Sequence, residues 1–163
     1  MRYNIREVRQ ELASQHINNL IHERSNFMKR TDKYPETPTF HYHNENPKNR
    51  ITGDCVYRAI SSATGIQWRQ VVIELAELAC DTGYSPTSKK CYGKYLEKKG
   101  WTKHPQPRKF DNTKYTGREF CEEFLPERCI AHIGGNHIVA IIDGKVNDIW
   151  NSTGGCIGNY WTL

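Results

Sequence analysis

The chain has 163 residues, enough for one domain with a hydrophobic core and a small appendage. Its 37% hydrophobic and 25% charged residues exclude a chain that is disordered throughout. No stretch approaches the roughly 18 consecutive apolar residues of a membrane span, and the formal net charge of +5 is carried by dispersed basic residues, so neither a membrane nor a nucleic acid is predicted as a partner.

Residues 1–30 are predicted to form an N-terminal helical arm, because their apolar positions approximate a helical stripe among charged residues. The arm packs on the main domain or binds a partner, with dimerisation or targeting as a further interpretation. Residues 31–49, rich in proline and asparagine, are predicted to be a polar linker. The N-terminus lacks the apolar core of a secretory signal, which predicts a cytoplasmic protein with free thiols.

The main domain, residues 50–163, is predicted to begin with helices. The first runs from Asp54, as its N-cap, to Ala63, with Gly65 as its stop. The others lie around residues 71–79, from Ser88 to Gly100, and from Thr116 to Phe124, with residues 102–115 predicted as a surface loop.

Four short strands are predicted to follow the helices: Cys129–Ile133, Ile138–Ile142, Val146–Trp150 and Asn159–Leu163. Helices followed by an antiparallel sheet define an α+β fold. Asp143-Gly144 is a strong signal for a two-residue hairpin turn. This turn makes Ile142 face Lys145.

The hairpin register brings a histidine and a carboxylate to one face of the sheet. Because side chains alternate along a strand, Asp148 lies diagonally across from His137. Asn151 falls on the other face and is the second choice as the residue that orients His137.

Cys55 is the candidate nucleophile, because it opens the first predicted helix. The positive end of the helix dipole and an imidazolium both lower the pKa of a thiol, which is ordinarily about 8.5. His137 supplies the imidazolium, and Asp148 orients it. The Cys55 backbone N–H is a predicted oxyanion donor, and Gly53 lets a carbonyl approach the backbone. Cys80 and Cys129 are instead predicted to be small buried hydrophobes.

The motifs resemble those of the papain-like cysteine peptidase superfamily, in which a cysteine at a helix start precedes a histidine and a carboxylate or amide on adjacent strands. Gly53-Asp54-Cys55-Val56-Tyr57-Arg58-Ala59 is similar to the nucleophile motif of small papain-like proteins of phages and bacteria, and to a shortened motif of OTU-type deubiquitinases. His137-Ile138-Val139-Ala140 and Asp148-Ile149-Trp150 resemble the small-protein version.

The resemblance implies a papain-like fold and a cysteine peptidase or isopeptidase that uses a Cys55–His137–Asp148 triad through a thioester, with no cofactor. Asn49 stands where papain has the glutamine of its oxyanion hole, so Asn49, Gly53 and Asp54 are the predicted supporting residues. The implied partner is a protein or peptide substrate, and for a phage product a host protein in the host cytoplasm.

Three alternatives remain open at this stage. The same triad serves deamidases and acyltransferases. A catalytically inactive papain-like fold acts as a protein- or nucleic-acid-binding module. A zinc site assembled from His41, His43, His132, His137 and a cysteine is a further alternative, although no ligand pair has the usual spacing.

Overall fold

The computed structural model describes residues 10–11, 13–17 and 29–163, and the chain divides into two compact units, Met1–Lys33 and Tyr34–Leu163. In the first unit, residues 10–11 and 13–17 are helical and a short helix, α1, spans Arg30–Lys33. The rest of the predicted arm, residues 1–9, 12 and 18–28, lies outside the described residues.

The second unit is built on a six-stranded mixed sheet with the strand order β1-β5-β4-β3-β6-β2. The strands are antiparallel neighbours except β1 and β5, which run parallel. Their bounds are β1 Phe40–Tyr42, β2 Thr102–His104, β3 Arg128–Ile133, β4 His137–Ile142, β5 Lys145–Asp148 and β6 Ile157–Thr162.

Four helices complete this unit: α2 Cys55–Thr64, α3 Trp68–Thr82, α4 Lys89–Lys98 and α5 Gly117–Phe124. Helices α2, α3 and α4 share one hydrophobic core with one face of the sheet, and α2 packs mainly on β4. Helix α5 packs on the opposite face. The predicted α+β class is therefore confirmed, with the sheet between two helical layers.

The alternation of side chains along β4 explains why both sheet faces are buried. Ile138 and Ala140 point to the core of α2 to α4, whereas Val139 and Ile141 point to the core of α5. The central strands are thus fixed from both sides, so they form a rigid base for polar groups at their ends.

Most of the residues predicted to begin or end helices lie at helix ends in the structure. Gly65 ends α2 in the left-handed conformation, with φ of 72°. The Ser88 side chain caps α4 by accepting a hydrogen bond from the backbone N–H of Cys91. Thr116 and Glu119 form a capping box at the start of α5. Among the described residues, no helix has both the length and the apolar character needed to cross a membrane.

The structure corrects four sequence predictions. Residues 31–49 are more than a linker, because buried Phe40 anchors β1 at the edge of the sheet. Residues 102–115 are not wholly a loop, because they begin with β2, which pairs with β6. The sheet is mixed and not purely antiparallel, because β1 joins it in parallel. Cys80 is exposed, since it lies on the solvent side of α3, whereas Cys129 is buried as predicted.

Candidate active site

Cys55 lies at the first position of α2 and its side chain is half-buried. Because α2 packs on β4, the start of this helix lies near the first residue of that strand, His137. A thiol at a helix N-terminus faces N–H groups that have no acceptor within the helix. The local fold therefore places Cys55 where a negative charge is stabilised.

The turn between β4 and β5 sets the position of the histidine relative to the carboxylate. Asp143 and Gly144 both have positive φ values, 50° and 69°, as a two-residue hairpin turn requires. The predicted pairing of Ile142 with Lys145 is confirmed. The His137 Nε2 and Asp148 Oδ2 atoms are 2.6 Å apart, a charge-assisted hydrogen bond across the hairpin.

Asp148 is held in one orientation by several donors. The Ser152 hydroxyl donates to Oδ2 over 2.9 Å, and the Ile149 backbone N–H donates to Oδ1 over 2.8 Å. The side chain is 3% exposed. The position of this buried carboxylate is therefore fixed, so it can hold the His137 ring in one orientation.

The thiol and the imidazole change each other's affinity for protons. Burial raises the pKa of Cys55, but the hydrogen bond and charge of His137, with the N–H groups of Ile138 and Val56, lower it below the ordinary value. Burial lowers the pKa of His137, but hydrogen bonds and charges from Asp148 and Cys55 raise it to about 9. Both shifts favour the form of the pair in which Cys55 is a thiolate and His137 an imidazolium.

A second buried ion pair supports the start of α2. Asp54 stands at the N-cap position, but its side chain does not cap the helix, contrary to the prediction. It accepts hydrogen bonds from the Arg58 guanidinium and from Asn46 Nδ2, the latter over 2.9 Å. The guanidinium also lies 3.9 Å from Asp148 Oδ1. Arg58 thus joins the start of the nucleophile's helix to the carboxylate that holds His137.

The other predicted supporting residues have different surroundings. Asn49 is exposed, with a positive φ of 52°, in the loop before α2. Gly53 is also exposed, and a Cβ there would meet no atom within 4 Å, so space does not demand glycine at this position. The Asn151 carboxamide oxygen accepts hydrogen bonds from the N–H and hydroxyl of Thr153. Asp148, the first choice, is therefore the residue bonded to His137.

An open cavity of about 490 Å³ adjoins His137. The Trp150 ring covers the imidazole with its centroid 5.2 Å away, and it is 40% exposed. Gly134 and Gly155 line the same cavity, and their backbones are in close contact: a Cβ at Gly155 would lie 2.9 Å from the Gly134 nitrogen. Backbone therefore forms much of this wall, which suits an extended chain lying against it.

Tyr92 and His132 form a further buried pair beside the thiol, which the sequence reasoning did not find. The Tyr92 hydroxyl bonds His132 Nε2, and His132 Nδ1 faces the Gly135 carbonyl oxygen at 3.4 Å. Burial and the charge of Lys89 lower the pKa of His132 to about 4, so it is neutral. Burial and the charge of Cys55 raise the pKa of Tyr92. The pair ties α4 to the turn that leads into β4.

Removing the Tyr92 hydroxyl is expected to affect folding more than thiol reactivity. Tyr92→Phe leaves the buried Nε2 of His132 without its donor, which costs about 1–3 kcal/mol of unfolding free energy. The exposed Tyr84 gives the matched control, Tyr84→Phe, which should leave stability unchanged. Urea denaturation measures both. Equal stability of Tyr92→Phe and wild type would show that the buried bond contributes nothing.

Two histidines of the zinc alternative bond carboxylates of their own: His41 bonds Glu36 and His43 bonds Glu45. Within the described ranges, no three His, Cys, Asp or Glu side chains are grouped so that they could hold a metal ion.

Comparisons of this chain with family models, with curated proteins and with solved structures each return no match.

Proposed function

We propose that this protein is a papain-like, thiol-dependent hydrolase that cleaves a peptide or isopeptide bond through a thioester on Cys55. The observation that carries the proposal is the hydrogen-bonded series Cys55–His137–Asp148, with the thiol at a helix start and its pKa lowered by the imidazole. Thiols used only for packing have raised pKa values, as burial gives Cys129 in this chain.

The first half of the proposed reaction forms the thioester. The Cys55 thiolate attacks the acyl carbon, and the backbone N–H of Cys55 at the start of α2 donates to the oxyanion. Protonated His137 then gives its proton to the leaving amine, and the carbon–nitrogen bond breaks. Asp148 keeps the imidazole oriented throughout, through its 2.6 Å hydrogen bond.

In the second half of the reaction, water replaces the amine. Neutral His137 takes a proton from the water, the hydroxide attacks the thioester carbon, and the carbon–sulfur bond breaks. The carboxylic acid leaves, and the thiolate–imidazolium pair is restored. An amine in place of water gives acyl transfer, and a glutamine side chain as substrate gives deamidation, so the same groups serve these reactions.

The pH dependence of the proposed hydrolysis follows from the two shifted groups. The rate should rise with pH as Cys55 ionises, below the ordinary range of a thiol. It should fall as the pH passes about 9, where His137 loses the proton that the leaving amine requires.

The first test is the pH profile of alkylation of each cysteine by iodoacetamide, read by mass spectrometry. We expect the alkylation of Cys55 to persist at lower pH than that of Cys80 and Cys156, which are exposed thiols of the same molecule. If Cys55 reacts no faster than these two thiols at low pH, the hydrolase proposal is wrong and a binding module becomes the better interpretation.

A further inference from the structure

A second cavity, of about 310 Å³, adjoins the turn of residues 134–136 that precedes β4. Gly134 lines both this cavity and the one at His137, so the two cavities are adjacent. The second cavity is lined by Lys89, Lys114 and His132, and no carboxylate is among its lining residues. Its charged side chains are therefore all cationic.

The two lysines of this cavity are not neutralised by the fold. Within residues 29–163, neither Lys89 nor Lys114 forms an ion pair. Lys89 also stands in the first turn of α4, at the positive end of the helix dipole, where a cation is unfavourable. The described part of the chain thus places two positive charges at this cavity and no carboxylate that pairs with them.

Two buried side chains connect this cavity to the thiol. His132 lines the cavity and bonds the Tyr92 hydroxyl. The charges of Lys89 and Lys103 lower the pKa of His132, after burial itself. Tyr92 in turn is close enough to Cys55 for the charge of the cysteine to raise the pKa of the phenol. His132 and Tyr92 therefore stand between the cavity and Cys55.

We propose that this cavity binds an anionic group of the substrate, a carboxylate or a phosphate, on a residue next to the bond that Cys55 attacks. The inference rests on the proposed function, since it assigns the substrate class of the same site. Lys89 and Lys114, which form no ion pair within residues 29–163, attract the anion, and Gly134 lines both this cavity and the one at His137. The preferred substrate is then an acidic or phosphorylated segment.

Three reagents test the proposal: the N-bromoacetyl derivatives of aspartate, phosphoserine and asparagine, each with its α-carboxyl group converted to a primary amide, so that the asparagine reagent is the neutral counterpart of the aspartate reagent. In each, a thiolate displaces bromide, forming a carbon–sulfur bond, and in the first two the anionic group lies a few bonds from the reacting carbon. Cys156 lines the cavity and is exposed, so its labelling reports anion attraction independently of Cys55. Mass spectrometry of digested protein gives the rate at each cysteine.

The wild type should label Cys55 and Cys156 roughly 5- to 10-fold faster with an anionic reagent than with the asparagine reagent, which corresponds to about 1–1.4 kcal/mol. The double variant Lys89→Gln/Lys114→Gln should lose this preference. Lys94→Gln/Lys98→Gln, on the same helix and with the same change in net charge, should keep it. The faster of the aspartate and phosphoserine reagents identifies the anion.

Each other outcome overturns the inference. Equal rates for all three reagents, or a preference that survives Lys89→Gln/Lys114→Gln, would show that the cavity does not bind anions. A preference at Cys156 without one at Cys55 would show that the cavity does not serve the thiol. If the hydrolase proposal itself is wrong, Cys55 reacts slowly with every reagent at pH 6.5, yet the rate ratios remain measurable at pH 9, so the two failures are distinguishable.

Discussion

His137→Ala is expected to slow the alkylation of Cys55 by iodoacetamide at pH 6.5 roughly 100-fold. In the wild type, the hydrogen bond and charge of His137 outweigh the burial of the thiol and lower its pKa. In His137→Ala the burial still raises the pKa of Cys55, but the hydrogen bond and charge that lowered it are gone. The thiol is therefore almost fully protonated at this pH. The pH profile of alkylation, read at Cys55 by mass spectrometry, measures the change.

The matched control is His41→Ala, because His41 lies on the same sheet but bonds the exposed Glu36. It should leave the Cys55 profile unchanged. Activity on any peptide that the wild type cleaves should fall in His137→Ala and not in His41→Ala. A His137→Ala protein that keeps the wild-type alkylation profile would show that the helix start alone activates the thiol, and the proposed acid–base role of His137 would be lost.

Arg58→Met is expected to lower the unfolding free energy by about 3–5 kcal/mol, since it leaves Asp54 and Asp148 buried without their shared cation. For a unit of this size such a loss lowers the melting temperature by roughly 10–15 °C. Because Asp148 also holds His137, the variant should in addition weaken the orientation of the imidazole. Differential scanning calorimetry at pH 7 measures the stability change.

Two further variants separate the charge from the packing of the arginine stem. Arg69→Met, at an exposed position of α3, should leave stability within about 0.5 kcal/mol of wild type. Adding Asp54→Asn to Arg58→Met removes one unpaired charge and should restore part of the loss. If Arg58→Met is as stable as wild type, the buried ion pairs do not hold the start of α2 in place.

The central geometry of the site could be predicted because each part has a local signal. Asp143-Gly144 permits only a two-residue turn, and that turn sets the register in which Asp148 reaches His137. Cys55 begins a helix whose end at Gly65 is equally local. Whether these groups catalyse a reaction is a separate question, which the alkylation experiments address.

The parts that were not predicted depend on contacts between distant segments. Strand β1 has three residues and one strong apolar signal, Phe40, within a segment rich in proline and asparagine. Its parallel pairing with β5 does not produce a recognisable pattern of apolar and polar residues in the local sequence. The Tyr92–His132 bond joins residues 40 positions apart, and the buried carboxamide of Asn46 resembles any loop asparagine. Only the assembled core identifies their partners.

Cys55 and His137 come from distant parts of the chain, about 80 residues apart. At a synthesis rate of about 5–20 residues per second, Cys55 leaves the ribosome several seconds before β4 exists. During this interval the thiol has no imidazole beside it and is an ordinary, weakly reactive cysteine. The appearance of a thiol that reacts at low pH would therefore mark the moment when β4 docks against α2.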